Sequence, residues 1–148
     1  MAVQSSNEYN RYSNQLDMNK VIEQKILFKT ATAEELFDIF VNPKKHAEIH
    51  DGAVTKISSK EGAVFSLING NLKGKNLLIV PNRMIVQSWR GNVWEKNDLD
   101  SVLALVFTNT PNGGQIDLVH AFTPDQFHEL WKQVYWQPMK EFLKRNKK

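Results

Sequence analysis

The sequence has 148 residues, 41% of them hydrophobic and 24% charged, with 19 Lys and Arg against 16 Asp and Glu. That suits one domain of ordinary size, too apolar to stay unfolded and, at a formal charge of +3, too weakly basic for the concentrated cationic face of a nucleic-acid binder. The absence of Cys excludes disulfide scaffolds, thiolate catalysis, zinc–cysteine sites and iron–sulfur clusters.

Residues 1–19 are polar, rich in Asn and Ser, and without period. They read as a flexible tail ahead of an ordered domain over 20–146. They lack the apolar stretch of a secretory leader, and no apolar run reaches the roughly 18 residues of a membrane span, so a cytoplasmic protein without membrane partners is expected. From Val21, alternation places Ile22, Gln24, Ile26 and Phe28 on one face of a half-buried strand. Thr32-Ala33-Glu34-Glu35 is a capping box opening a helix with Leu36, Phe37, Phe40 and Val41 on its apolar face. Asn42 and Pro43 then cap and start a second short helix, which Asp51-Gly52 ends.

Strand signals follow at 53–59, 63–69, 72–80, 84–91, 102–109 and 115–122. They are separated by Lys60-Glu61-Gly62, the hairpin signal Asn69-Gly70, Pro81-Asn82 and Pro111-Asn112-Gly113-Gly114. Such short joints force antiparallel neighbours, so the strands form a meander. Thr123-Pro124-Asp125-Gln126 has the form of another helix start. Behind it Phe127, Leu130, Trp131, Val134, Tyr135 and Phe142 recur at three and four, and Pro138 interrupts the run. The element order predicts an α+β fold: a curved antiparallel sheet of six to seven strands wrapped around a long C-terminal helix, with two short helices after the first strand.

Candidate chemistry is sparse. His46 and His50 stand four apart with Asp51 beside them, but the intervening Glu48 is misplaced for a zincin motif, and two polar residues on an exposed helix is the simpler reading. His120 lies among apolar strand neighbours and reads as a satisfied or half-exposed sheet residue. Asp98 and Asp100 lack a calcium-loop pattern, no Gly-rich phosphate loop opens a helix, and no spacing marks a catalytic triad. No cofactor, no metal and no enzymatic activity are expected. Asn69-Gly70-Asn71 reads as a hairpin tip. The aromatics are more suggestive, because a helix lying across a curved sheet need not fill the gap beneath it. Phe40, Phe65, Leu67, Trp89, Leu105, Trp131 and Tyr135 are the candidates to line such a gap, against plain core packing as the alternative. Trp131 and Trp136 are five apart and so face different ways on an α-helix, which makes Trp136 a candidate exposed interface anchor.

The run Phe65-Ser66-Leu67-Ile68-Asn69-Gly70-Asn71-Leu72-Lys73-Gly74, then Leu78-Ile79-Val80-Pro81 and Ile85-Val86-Gln87-Ser88-Trp89-Arg90, resembles the C-terminal domain of the activators of the ninety-kilodalton heat-shock chaperone's ATPase. The closing segment from Trp131 to Phe142 and Asn42-Pro43 after the first helix fit as well, so the likeness runs over about residues 20 to 145. The resemblance implies the helix-grip fold of START-like proteins and a non-catalytic, co-chaperone-like role in contact with the chaperone's N-terminal domains. Full-length activators add an N-terminal domain that docks on the chaperone's middle segment, and residues 1–19 do not resemble it. Lys73, Lys75, Arg90 and Trp136 are the candidate partner-binding residues. Two other readings stand beside this one: a module binding a small apolar ligand in the helix–sheet gap, and an enzyme using His120 or the His46/His50/Asp51 cluster.

Overall fold

The structure, a computed structural model, describes residues 20–146; the expected tail lies outside the described residues. The first strand, β1 (Lys20–Phe28), leads into helices α1 (Ala33–Val41) and α2 (Pro43–Glu48). Five further strands follow: β2 (Val64–Leu67), β3 (Leu72–Val80), β4 (Met84–Gly91), β5 (Ser101–Thr110) and β6 (Gly113–Thr123). The chain closes with α3 (Phe127–Leu130), a π-helical turn (Trp131–Trp136) and α4 (Gln137–Asn146).

The six strands form one antiparallel sheet in the order β1-β6-β5-β4-β3-β2. Only the β1–β6 pairing is non-local: it sets Ile22 opposite His120 and Ile26 opposite Ile116. Burial alternates along β5, where Ser101, Leu103, Leu105 and Phe107 point inward and Val102 and Val106 outward. Inward side chains meet α1, whose Leu36, Ile39 and Phe40 are buried, and the closing helical segment, which buries Trp131, Tyr135, Met139 and Phe142. Phe40 stacks on Tyr135 at 5.4 Å between ring centroids and meets Phe107 edge-on at 5.9 Å, so the centre of the helix–sheet space is filled. Close approach of β3 to β4 requires glycine at Gly74: a Cβ there would lie 1.8 Å from the Ser88 carbonyl oxygen and 2.5 Å from the Phe65 ring.

Local signals account for the helix starts. Thr32 Oγ1 accepts from the Glu35 amide and the Glu35 carboxylate accepts from the Thr32 amide, both at 3.1 Å, while Asn42 Oδ1 accepts from the amides of Lys44 and Lys45. Gly52 takes φ +82 at the end of the second helical turn.

Three expectations are corrected. Residues 53–59 form no strand; Lys56 makes an isolated bridge to Ser66. Beside a four-residue β2, the rest of this stretch is held partly by side chains. Asn69 Oδ1 accepts from the Val54 amide, and Asn76 Nδ2 donates to the carbonyls of Ser58 and Lys60. Thr123 does not cap the closing helix. It ends β6, its hydroxyl is buried without a partner, and helical residues begin only at Phe127 with no side-chain cap. Trp136 is not exposed. The π turn closes i→i+5, as in the bond from the Gln137 amide to the Lys132 carbonyl, and so sets residues five apart above one another. Trp131 and Trp136 therefore stack, with centroids 5.2 Å apart. Trp136 is 5% exposed, and its Nε1–H donates to Gln24 Oε1 on β1 at 2.7 Å.

Candidate functional site

The inner face of the sheet carries two polar chains whose proton positions follow from their donors. Trp89 Nε1–H donates to Gln87 Oε1 at 2.8 Å, Gln87 Nε2 donates to Asn76 Oδ1 at 2.9 Å, and Asn76 holds the 58–60 loop. In the second chain Trp131 Nε1–H donates to His120 Nδ1 at 3.0 Å. Nδ1 is thus the acceptor, so Nε2 carries the proton and donates to Ser101 Oγ at 2.8 Å; Ser101 donates onward to the Trp89 carbonyl at 3.1 Å. A serine facing a histidine invites a nucleophile reading, but here the imidazole nitrogen beside the hydroxyl is a donor and cannot remove its proton.

His46 on α2 is likewise enclosed, and His50, in the turn that follows, is half-buried. His46 is 0% exposed, against the exposed helix face expected for it. Its Nδ1–H donates to the Phe40 carbonyl at 3.0 Å, which leaves Nε2 to accept from the Tyr135 hydroxyl at 2.9 Å. His50 Nε2–H donates to the Val134 carbonyl at 2.8 Å, the group whose α-helical donor would be the missing N–H of Pro138. Burial lowers the His46 pKa to about 4, opposed by the bond to Phe40 and aided by His50, and lowers His120 to about 3. Burial also lowers His50 and raises the Tyr135 phenol. All three imidazoles are therefore neutral at pH 7. Among the described residues no group of three His, Asp or Glu side chains is placed to share a metal ion.

Where the closing helical segment meets the β2–β3 hairpin and the loop after β4, the packing opens into an apolar pocket of about 260 Å³. Trp89, Trp131 and Tyr135, three of the rings expected around such a gap, line it. Phe40, Phe65, Leu67 and Leu105 do not; they are buried in the packed core, because the stack of Phe40 on Tyr135 fills the middle of the gap and leaves space only at one end. None of His46, His50, Asp51 and His120 is on this pocket's wall. The wall also takes Ile68 and Asn71 from the hairpin tip, Trp94 and Val93 from the loop after β4, and Phe127 and Leu130 from α3. Sequence reading treated the hairpin tip as a plain turn. The one available signal was Trp94, a large ring inside an otherwise polar loop.

Lys73 and Lys75 are exposed on β3. Lys73 borders a second, polar hollow with Arg90, Asn92 and Trp94, so the Trp94 ring separates the two. Arg90 is engaged within the chain. Its guanidinium donates to the carbonyls of Asp98, at 2.6 Å, and Glu95, and to the Asp100 carboxylate at 3.1 Å, which ties down the 95–100 loop. Asp98 in turn caps the Glu95 amide at 2.7 Å.

Comparison with known proteins decides the lineage. A family model described as "Activator of Hsp90 ATPase homolog 1-like protein" matches residues 30–146. The chain belongs to this family. The chain is 32% identical over 74 residues, half of its own length, to the "Activator of 90 kDa heat shock protein ATPase homolog" of Dictyostelium discoideum. It is 25% identical over 121 residues to the "Activator of 90 kDa heat shock protein ATPase homolog 2" of Mus musculus, which takes in 79% of the chain. The matched segments span 19% and 36% of those two relatives. A solved structure of an HSP90 activator from Plasmodium falciparum superposes with a TM-score of 0.74 at 21% identity, over 86% of this chain and 96% of that one; the likeness is one of fold, and the fold is the helix-grip arrangement of an activator-family domain. No helix among the described residues is long and apolar enough to cross a membrane.

Proposed function

We propose that this chain is a non-catalytic, co-chaperone-like domain of the cytoplasm that binds the 90 kDa heat-shock chaperone and modulates its ATPase. The observation that carries the reading is the family match over residues 30–146, nearly all of the described chain. The polar chemistry agrees with it: His46 and His120 each use both ring nitrogens, one as donor and one as acceptor, within the packing, and the pocket is apolar. Lys73 and Lys75 supply the charged part of the contact, on a surface of modest size tuned for transient association. The test is titration of the purified chaperone with this chain, with and without ATP, alongside the chaperone's ATPase rate in the presence of the chain alone and in competition with a full-length activator. Binding with a change in rate supports the reading; no binding at about 100 μM, weaker than most transient signalling contacts, sinks it.

A further inference from the structure

We infer that the pocket beside Trp94 is the seat for one apolar side chain of the chaperone, carried on a segment with an acidic residue next to that anchor; this rests on the co-chaperone reading above. The wall is built for an apolar group. The N–H groups of Trp89 and Trp131 are both donated away from the pocket, to Gln87 and His120, so the indoles present ring faces. At the mouth, Asn92 Nδ2 donates to Asn71 Oδ1 at 2.9 Å, so one amide of the pair is held by the other. No ionisable side chain but the Tyr135 phenol is on the wall, and that hydroxyl is given to His46. At about 260 Å³ the space exceeds the roughly 150 Å³ cavity that accepts benzene, so it holds an aromatic or branched aliphatic side chain with room to spare.

The rim argues for a polypeptide over a free small molecule. Val93 and Leu130 flank the mouth at 76% and 37% exposure. A molecule seated in the pocket would leave both in water, whereas a protein surface covers them, which is how buried anchors and their surrounding contacts are arranged in interfaces. Charge selects the anchor's neighbour. Across the Trp94 ring lies the exposed Lys73, and with Arg90 bound to the 95–100 loop, the Lys73 ammonium is the cation that faces an incoming segment in that hollow. The site is also formed in advance. Ile68, on the wall, holds φ +54, a left-handed conformation unfavourable for a β-branched residue and of the sort that the surrounding structure must enforce.

The test measures chaperone affinity, by titration calorimetry, for the full chain and for variants at exposed positions that leave the core intact. Val93→Glu and Leu130→Glu should each weaken binding by about tenfold or more, because each sets a carboxylate at the mouth of an apolar seat, where the partner would bury it unpaired. Lys73→Glu should weaken it by about threefold at about 50 mM salt and by less at about 300 mM, where screening is stronger. Val119→Glu, on the outer sheet face, should stay within about twofold of the parent. Near-UV circular dichroism checks that each variant keeps its aromatic packing. If Val93→Glu and Leu130→Glu bind like the parent, or if Val119→Glu is equally damaging, the pocket is not the seat, although the co-chaperone reading stands. If the parent fails to bind at about 100 μM, both fall. Native mass spectrometry that finds a small apolar molecule retained in the chain, with chaperone affinity unaltered by Val93→Glu, also overturns the inference and assigns the pocket to that molecule.

Discussion

Acid lability follows from the two enclosed imidazoles of His46 and His120. Their folded pKa values, about 4 and about 3, lie below the ordinary 6.5, because burial disfavours the charged ring. Since each folded value is below the unfolded one, each histidine contributes stability that is fully present above about pH 6.5 and is lost as the pH falls toward the folded pKa. Between pH 8 and pH 5 both rings become charged in the unfolded chain while remaining neutral in the fold. Integrating that proton difference gives a loss of about 2 kcal/mol for each ring and about 4 kcal/mol for the pair. A whole domain is held by only about 5–15 kcal/mol, so the effect is large. His50, also lowered by burial, acts in the same direction. The assay is urea unfolding at intervals from pH 8 to pH 5, followed by tryptophan emission. Below about pH 6 the stability should fall by nearly 3 kcal/mol per pH unit. His120→Gln removes one titrating group but can still accept from Trp131 and donate to Ser101, and should lose about half as much over the same range. A parent protein whose stability changes by less than about 1 kcal/mol between pH 8 and pH 5 would refute the reasoning, since the rings would then not be buried and neutral.

Other consequences can be measured on the same preparation. Gln87→Leu strands the Trp89 N–H and the Asn76 carbonyl inside the sheet; urea unfolding should show a loss of about 2–4 kcal/mol, two uncompensated polar groups at the usual cost. Gly91→Ala puts a Cβ 2.7 Å from Trp94 Nε1. Because Trp94 sits on a loop, the ring should swing out, seen as greater quenching of tryptophan emission by iodide, with chaperone affinity falling if the pocket is the seat. Thr32→Ala removes the hydroxyl of the capping box and should cost about 1 kcal/mol while chaperone affinity is unchanged, because the cap lies outside the pocket.

Where sequence reading succeeded, each feature was fixed by near neighbours. The box at Thr32 and Glu35, the cap at Asn42, the turn at Asp51-Gly52 and the strand signal along 102–109 each rest on residues a few positions apart. Where it failed, a distant partner decided. Residues 53–59 give a strand signal, but beyond the Lys56–Ser66 bridge no ladder forms, and the Val54 amide and Ser58 carbonyl go to the side chains of Asn69 and Asn76. Thr123 and Gln126 have the spacing of a helix start, yet the β1–β6 ladder extends to Thr123 through its pairing with Lys20. The pocket was half legible. Trp89, Trp131 and Tyr135 were expected at it by size and position, but Ile68, Asn71, Val93 and Leu130 come from three separate segments brought together only by the fold.

The π turn also absorbs a residue. Between Trp131 and Trp136 the helix holds one residue more than an α-helical turn would, and the wider turn takes it up, so α3 and α4 keep nearly the phase of one continuous α-helix. Removing one exposed residue there, Lys132 or Gln133, would let the segment close as a uniform α-helix with Met139, Phe142 and Leu143 still facing the core. Removing a residue from the start of α4 instead would turn everything beyond it by about 100° and carry Phe142 and Leu143 off the core. Single deletions at 132 or 133 should therefore be far less damaging than single deletions in α4. Chain length is slack in the π turn and strict in the helix that follows it.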